Sequence, residues 1–181
     1  MELYKYLNGL SDYLQGLGRR AMMWGDQLLN EPGRFTPDCI TYGETPEIAK
    51  VLVENLDRKI IIVDWQYYVK TPDITTGLFL KEKGFDVIMA PFDDLPAIGI
   101  CAGDVVKHQH FGFMQTTWHV MHTAIKRIVI RGAAHAWEGN AEYDRMDTEF
   151  MLVEYASYTR KLLPPKGIYR DAGLRELQID T

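Results

Sequence analysis

Four stretches of this sequence end a short apolar run in a burst of aromatic and acidic residues. They are Arg20-Ala-Met-Met-Trp-Gly-Asp26, Lys59-Ile-Ile-Ile-Val-Asp-Trp-Gln-Tyr-Tyr68, Phe85-Asp-Val-Ile-Met-Ala-Pro-Phe-Asp-Asp94 and Phe111-Gly-Phe-Met-Gln-Thr-Thr-Trp-His119. Aromatic rings offer flat apolar faces and carboxylates accept hydrogen bonds, a pairing that suits a sugar-like ligand with both C–H faces and hydroxyls. The candidate binding residues are Trp24, Asp26, Asp64, Trp65, Tyr67, Asp93, Asp94 and Trp118. Each has a plainer alternative. Trp24 and Trp118 could be core aromatics, and Asp26, Asp64 and one of Asp93 and Asp94 could serve turns or caps. Tyr67 and Tyr68 point to opposite faces of an extended chain, so at most one of them serves a pocket.

A second chemistry is written in the histidines. His108-x-His110 and His119-x-x-His122, with Cys101 nearby, have residue types that bind a metal in barrel hydrolases. His122 falls in an expected helix, and no first-strand histidine cluster accompanies the four. Surface and supporting roles are therefore favoured for them, and neither a metal nor another cofactor is assigned.

The elements that must position these residues follow from periodicity. Leu3, Leu7, Leu10, Leu14 and Leu17 predict a helix with one apolar stripe, closed by Gly16 and Gly18. A strand from Arg20 to Trp24 follows, then an irregular stretch from Asn30 to Gly43 of a length usually functional in a compact domain. Thr45-Pro46-Glu47 opens a helix that directs Ile48, Val51, Leu52 and Leu56 to a core. The continuous β-branched run Ile60–Val63 fits a strand buried on both faces, as in a parallel sheet. Thr71-Pro72-Asp73 repeats the helix-opening pattern, and that helix stops at Lys83-Gly84. A third strand, Val87–Ala90, a helix within Leu95–His110 and a fourth strand before Trp118 complete the alternation. Helices are expected over Val120–Ala136, where Trp137 is read as a packing residue, and over Ala141–Leu163. Residues 164–181, opening on Pro164-Pro165, read as a tail or linker behind a domain spanning 1–163.

Composition narrows the function classes. The chain has 181 residues, 46% of them hydrophobic, and a formal charge of −5 with no basic patch, which argues against nucleic acid. No apolar run reaches the roughly 20 residues of a membrane span, and the first residues lack a signal-peptide core. Two cysteines suggest no disulfide framework. Location is left open, cytoplasmic if the sequence is complete. No Gly-x-Gly-x-x-Gly or Gly-x-x-x-x-Gly-Lys fingerprint follows a strand, so dinucleotide and P-loop chemistries lose their support.

Strands alternating with helices imply right-handed βαβ units. A (β/α)₈ barrel takes eight strands and about 250 residues, and binds its ligands at the C-terminal strand ends. The expected fold is thus α/β, the second half of a (β/α)₈ TIM-type barrel with four parallel strands. Met22-Met-Trp-Gly-Asp26, Asp64-Trp65, Ala90-Pro91-Phe92 and Thr116-Thr-Trp118 resemble the last four strands of the family 20 glycoside hydrolases, the exo-β-N-acetylhexosaminidases. The resemblance implies an aromatic cage walled by Trp24, Trp65 and Trp118 around a terminal N-acetylhexosamine, with Asp94 as a carboxylate for its hydroxyls. It also exposes departures. The family's Asp-Glu pair, in which Glu is the general acid and Asp steers the substrate's acetamido group, is missing from this chain. Its acetamido-binding Tyr is replaced by the stretch Phe92-Asp93-Asp94.

The expectation is therefore a sugar-binding half of a glycosidase-like domain that is inactive alone. Its partners would be a carbohydrate and either a second copy of the chain or a missing N-terminal half-barrel. The alternatives are a metal-dependent barrel hydrolase and a non-catalytic carbohydrate-binding fragment.

Overall fold

The computed structural model describes residues 3–118, 124–138, 149–154 and 157. The chain divides into two compact units, 1–143 and 144–181. In the second unit the described residues, 149–154 and 157, are helical; the expected tail from 164 onward lies outside the described residues.

The first unit is mixed α/β. In chain order it contains α1 (Leu3–Gly16), β1 (Met22–Trp24), a 3₁₀ turn (Asp26–Leu28), α2 (Pro46–Asn55), β2 (Ile61–Asp64), α3 (Thr75–Glu82), β3 (Val87–Met89), α4 (Leu95–His108), β4 (Gly112–Phe113) and α5 (Ala124–Glu138). The four strands form one sheet in the order β1-β2-β3-β4, every pair parallel. Strand order thus follows chain order with no reversal. In doubly wound folds the order reverses at a switch point. Here every crossover steps the same way along the sheet, and crossovers of one hand, right-handed as the rule, put their helices on one face.

The core agrees with that layering. One buried cluster joins Leu52 and Val53 of α2, Phe79 and Leu80 of α3, and Ala97 and Cys101 of α4 to Ile62, Val87 and Met89 of the strands. Tyr4 and Leu7 of α1, Met23 and Phe113 pack against it. Strand side chains of the opposite parity, Met22, Trp24, Ile61, Val63 and Ile88, lie outside this cluster. Met22 and Trp24, on the edge strand, are 50% and 38% exposed, whereas Ile61 and Val63 in mid-sheet are buried.

Several local expectations need correction. The α1 stripe meets the core only in part: Leu7 packs against it, Leu3 and Leu10, and Leu17 just past the helix, are exposed, and the one fully buried residue is Ser11. Polar bonds hold the helix alongside that packing. The Ser11 hydroxyl donates to Asp57 Oδ2 at 2.7 Å, and Asn8 bonds the chain at Asn55 and Asp57. In α2, Thr45 caps Ile48 N–H with Pro46 in the first turn, as expected, but Ala49, Leu52 and Val53 face inward while Ile48 and Val51 are exposed. α3 starts at Thr75, not at Thr71-Pro72-Asp73, because the Asp73 carboxylate is taken by Lys107 and His108 rather than by backbone N–H groups. Trp137 is 89% exposed, not a packing residue.

Candidate functional site

The C-terminal ends of the strands carry a connected arc of aromatic rings. Trp24, the last residue of β1, stacks on Trp118 at 5.4 Å between ring centroids. The Trp118 indole N–H donates to the Tyr67 hydroxyl. Tyr67 meets Trp65 at 4.9 Å and Phe92 at 5.4 Å. Trp65 in turn stacks on Tyr42 at 5.5 Å with the planes 28° apart. Trp118 and Tyr42, at the two ends, are 51% and 61% exposed. A continuous apolar surface of this kind, rimmed by polar groups, marks a ligand site rather than scattered exposure.

Sequence places the rings there by simple means. β1 ends at Trp24, and Gly25 turns the chain tightly over β2. A Cβ on Gly25 would lie 2.7 Å from Ile62 Cγ2, so a side chain would push β1 and β2 apart, and the Gly25 N–H instead bonds Val63 O at 2.9 Å. Asp26 follows, half-buried inside the arc. Its Oδ1 accepts from the Trp65 indole N–H at 3.1 Å and its Oδ2 from Gln27 Nε2 at 3.2 Å. Each oxygen keeps lone-pair capacity for further donors. Trp118 has φ of +44°, in the left-handed region that bulky residues avoid. Such conformations cost on the order of 1–3 kcal/mol and concentrate at functional sites. Burial pushes the Tyr67 hydroxyl above its ordinary range, so it stays protonated and able to donate while it accepts from Trp118.

Of the expected binding residues, the fold gathers Trp24, Asp26, Trp65, Tyr67 and Trp118 into this arc. It does not gather the other three. Asp64 pairs in register with Met89, which belongs to the helix-side core, so its side chain goes down, away from Trp65. It is 1% exposed and accepts from Thr76 Oγ1 at 2.7 Å and Gln66 Nε2 at 2.8 Å. Burial raises its carboxyl to about 6 despite those bonds. Asp94 caps α4, its Oδ1 accepting from Ala97 N–H at 2.9 Å. Asp93 is exposed at the turn before it. The plain turn-and-cap explanation covers both.

Two aromatic members were missed in the sequence. Phe92 appears in the sequence only within the resembled motif Ala90-Pro91-Phe92 and the departing stretch Phe92-Asp93-Asp94, not as a candidate ring. Tyr42 sits in the long stretch between β1 and α2, where no periodicity marks a ring. That stretch is firmly held. Gln66 bonds both backbone groups of Ile40, Ile40 N–H to Oε1 at 2.7 Å and Nε2 to Ile40 O at 3.1 Å. Asp38 accepts from Lys70 N–H at 2.8 Å, which holds its carboxyl below the usual range.

The histidine hypothesis finds a different setting. His108 and His110 do come together, with ring centroids 6.1 Å apart; His119 and His122 lie outside the described residues. Ligand atoms of Asp73, Asp104 and His108 lie within 4.8 Å of one another. These groups already satisfy one another. Asp73 Oδ1 takes His108 Nε2 at 2.7 Å and Lys107 Nζ at 2.5 Å, and Asp104 takes Ile74 N–H at 3.0 Å and His110 Nε2 at 2.9 Å. Cys101 stands apart, its thiol donating to Gln66 O at 3.6 Å, and burial raises it well above its ordinary range.

Neither a scan of protein-family models nor a search of curated proteins matches this chain.

Proposed function

We propose that this chain is the C-terminal half of a (β/α)₈ glycosidase-like domain, akin to the β-N-acetylhexosaminidases, which binds a terminal sugar without supplying the general acid. One observation carries the sugar reading: the exposed aromatic arc, with the Asp26 carboxylate bonded to its Trp65, at the C-terminal strand ends, where barrels bind ligands. Stacking rings take the apolar face of a pyranose, and Asp26 Oδ2 takes a hydroxyl. The half-barrel reading is supported by the monotonic parallel order and by helices packed on one strand parity, since a barrel covers its other face by closing.

Glycoside hydrolysis needs a positioned acid, and such groups typically contribute about 10²–10⁴-fold. Asp26 is the one carboxylate in the arc among the described residues; Asp64 is buried beneath it. The arc therefore binds, and an aryl N-acetyl-β-hexosaminide stays intact. Calorimetric titration with N-acetylglucosamine tests this: saturable heat in the wild type that Trp118→Ala removes is expected. A folded wild type that gives no heat at millimolar sugar overturns it.

The open edges at β1 and β4 bear on assembly. β1 presents Met22 and Trp24, and α1 presents Leu3, Tyr6, Leu10, Tyr13 and Leu17, all exposed. Unpaired parallel edges invite pairing with another chain. Two copies related by a two-fold axis would supply eight strands, each β1 beside the other's β4. A separate N-terminal half-barrel is the other partner of this geometry. Light scattering distinguishes them from self-closure: a dimer is expected, and a monomer at micromolar concentration that unfolds cooperatively contradicts the half-barrel.

A further inference from the structure

We propose that Asp73, Asp104 and His108 form a zinc site that straps the segment before α3 to the last turns of α4. The proposal is independent of the sugar reading, since none of the three residues belongs to the aromatic arc.

The spacing of the residues prepares the cluster. Asp104 and His108 stand four apart on α4, which puts both side chains on one face of the helix. Asp73 comes from the bend before α3, next to Ile74, whose N–H bonds Asp104 Oδ1 at 3.0 Å. That bond brings the two carboxylates to the same imidazole. His108 Nε2 lies 2.7 Å from Asp73 Oδ1 and 3.7 Å from Asp104 Oδ1, and the ligand atoms of all three lie within 4.8 Å of one another. Zinc held tetrahedrally at about 2.0–2.1 Å keeps neighbouring donors roughly 3.3–3.4 Å apart, a value that the two histidine separations bracket.

The bonds already present satisfy the hydrogen-bonding capacity of Asp104 but do not balance its charge. The residue is 1% exposed, and buried charges are paired or coordinate metals. Among the described residues no Lys or Arg pairs with it; its ion-pair partners are His108 and His110. His110 orients the carboxylate. Its Nε2 donates to Asp104 Oδ2 at 2.9 Å, while its buried Nδ1 has no hydrogen-bond partner, so a second proton there would be an unsatisfied donor. A carboxylate held in this way, by a histidine N–H and a backbone N–H, has the outer support that metal ligands use. Asp73 and His108 are partly exposed, which leaves a path of entry and a fourth position for water. Lys107 Nζ, 2.5 Å from Asp73 Oδ1 on a half-exposed side chain, is the cation that zinc would displace. An imidazole beside two carboxylates suits zinc, whereas magnesium and calcium take oxygen ligands.

Calorimetric titration of the untagged chain with zinc chloride tests the site, with thermal unfolding as a second readout. The wild type should bind one zinc ion per chain at micromolar concentration and unfold at a higher temperature when saturated. His108→Ala and Asp73→Asn, at partly exposed positions, should each weaken binding by more than the roughly 10–100-fold that loss of a supporting bond costs. Lys107→Ala, which removes the competing cation, should tighten it. A folded wild type that takes up no zinc at submillimolar concentration overturns the proposal. So does zinc uptake that persists unchanged in both His108→Ala and Asp73→Asn, or magnesium binding as tightly as zinc.

Discussion

Two layers of this molecule use the same side chains for opposite ends. In the upper layer, Asp26 is half-buried with one clear donor on each oxygen, among rings that remain open to solvent. In the layer beneath, Asp64 and Asp104 also have one donor on each oxygen, Thr76 and Gln66 for the first and Ile74 and His110 for the second, but each is only 1% exposed. A carboxylate closed off from solvent can only hold the fold, whereas one with the same donors that is half-exposed beside apolar surface can take a further donor from a ligand. The lower layer ties β2, α3, α4 and the start of β4 together, and so fixes the strand ends that carry the arc. The division predicts which substitutions damage stability and which damage binding.

The largest expected effect is in the lower layer. Asp104→Ala leaves the buried His110 and the Ile74 N–H without their partner. Leaving buried polar groups without a partner costs on the order of 1–3 kcal/mol each. At this size that amounts to a fall of roughly 5–10 °C in Tm. A loss of under about 1 kcal/mol by chemical denaturation would show that the lower layer does not hold the fold.

The pH dependence is next. Asp64 has a folded carboxyl near 6 against an ordinary value of 3.8. The folded state therefore holds the proton more tightly, and stability from this group is full below about pH 4 and lost as pH rises through 6. Asp64→Asn stays neutral throughout. Its stability relative to the wild type should improve by a few kcal/mol between pH 4 and pH 7, on the scale of about 1.4 kcal/mol per pH unit. Asp38 and Asp57, both held below the ordinary range, pull the other way in acid, but they are common to both proteins and cancel in the difference. Parallel stability curves for the two proteins would contradict the assignment.

The smallest effect on folding belongs to the arc. Trp118 is half-exposed and packs on one ring, so Trp118→Ala should change stability by no more than about 1 kcal/mol. Unfolding of this variant in the same range as Asp104→Ala would erase the distinction between the two layers.

Much of this was legible in the residues. The β-branched run before Asp64, the Thr45-Pro46 helix start and the turns at Gly84 and Pro91 were enough for four strands alternating with helices. The sheet's parallel order followed from that alternation. The clustering of Trp24, Asp26, Trp65, Tyr67 and Trp118 was legible because each follows a strand end. Asp64 misled because it adjoins Trp65, yet neighbours on a strand face opposite ways, and the register with Met89 sends Asp64 to the helix side. Asp94 was ambiguous because a cap and a ligand-binding carboxylate look alike until Ala97 N–H is located. Tyr42 was hidden for a different reason. Its position depends on long-range bonds from Gln66 and Asp26, and no local pattern in a loop reports those. The leucine spacing of α1 says which residues share a face, not whether another element covers it, and Leu3 and Leu10 are exposed.

The central claim is that the aromatic arc is a sugar-binding surface, and saturation-transfer NMR tests it most directly. With the protein's aromatic protons irradiated, N-acetylglucosamine should receive saturation chiefly at the ring C–H protons of one face. Trp24→Ala combined with Trp118→Ala should remove the transfer while leaving the fold intact. Transfer that is absent in the wild type, or that persists unchanged in the folded double variant, would contradict it.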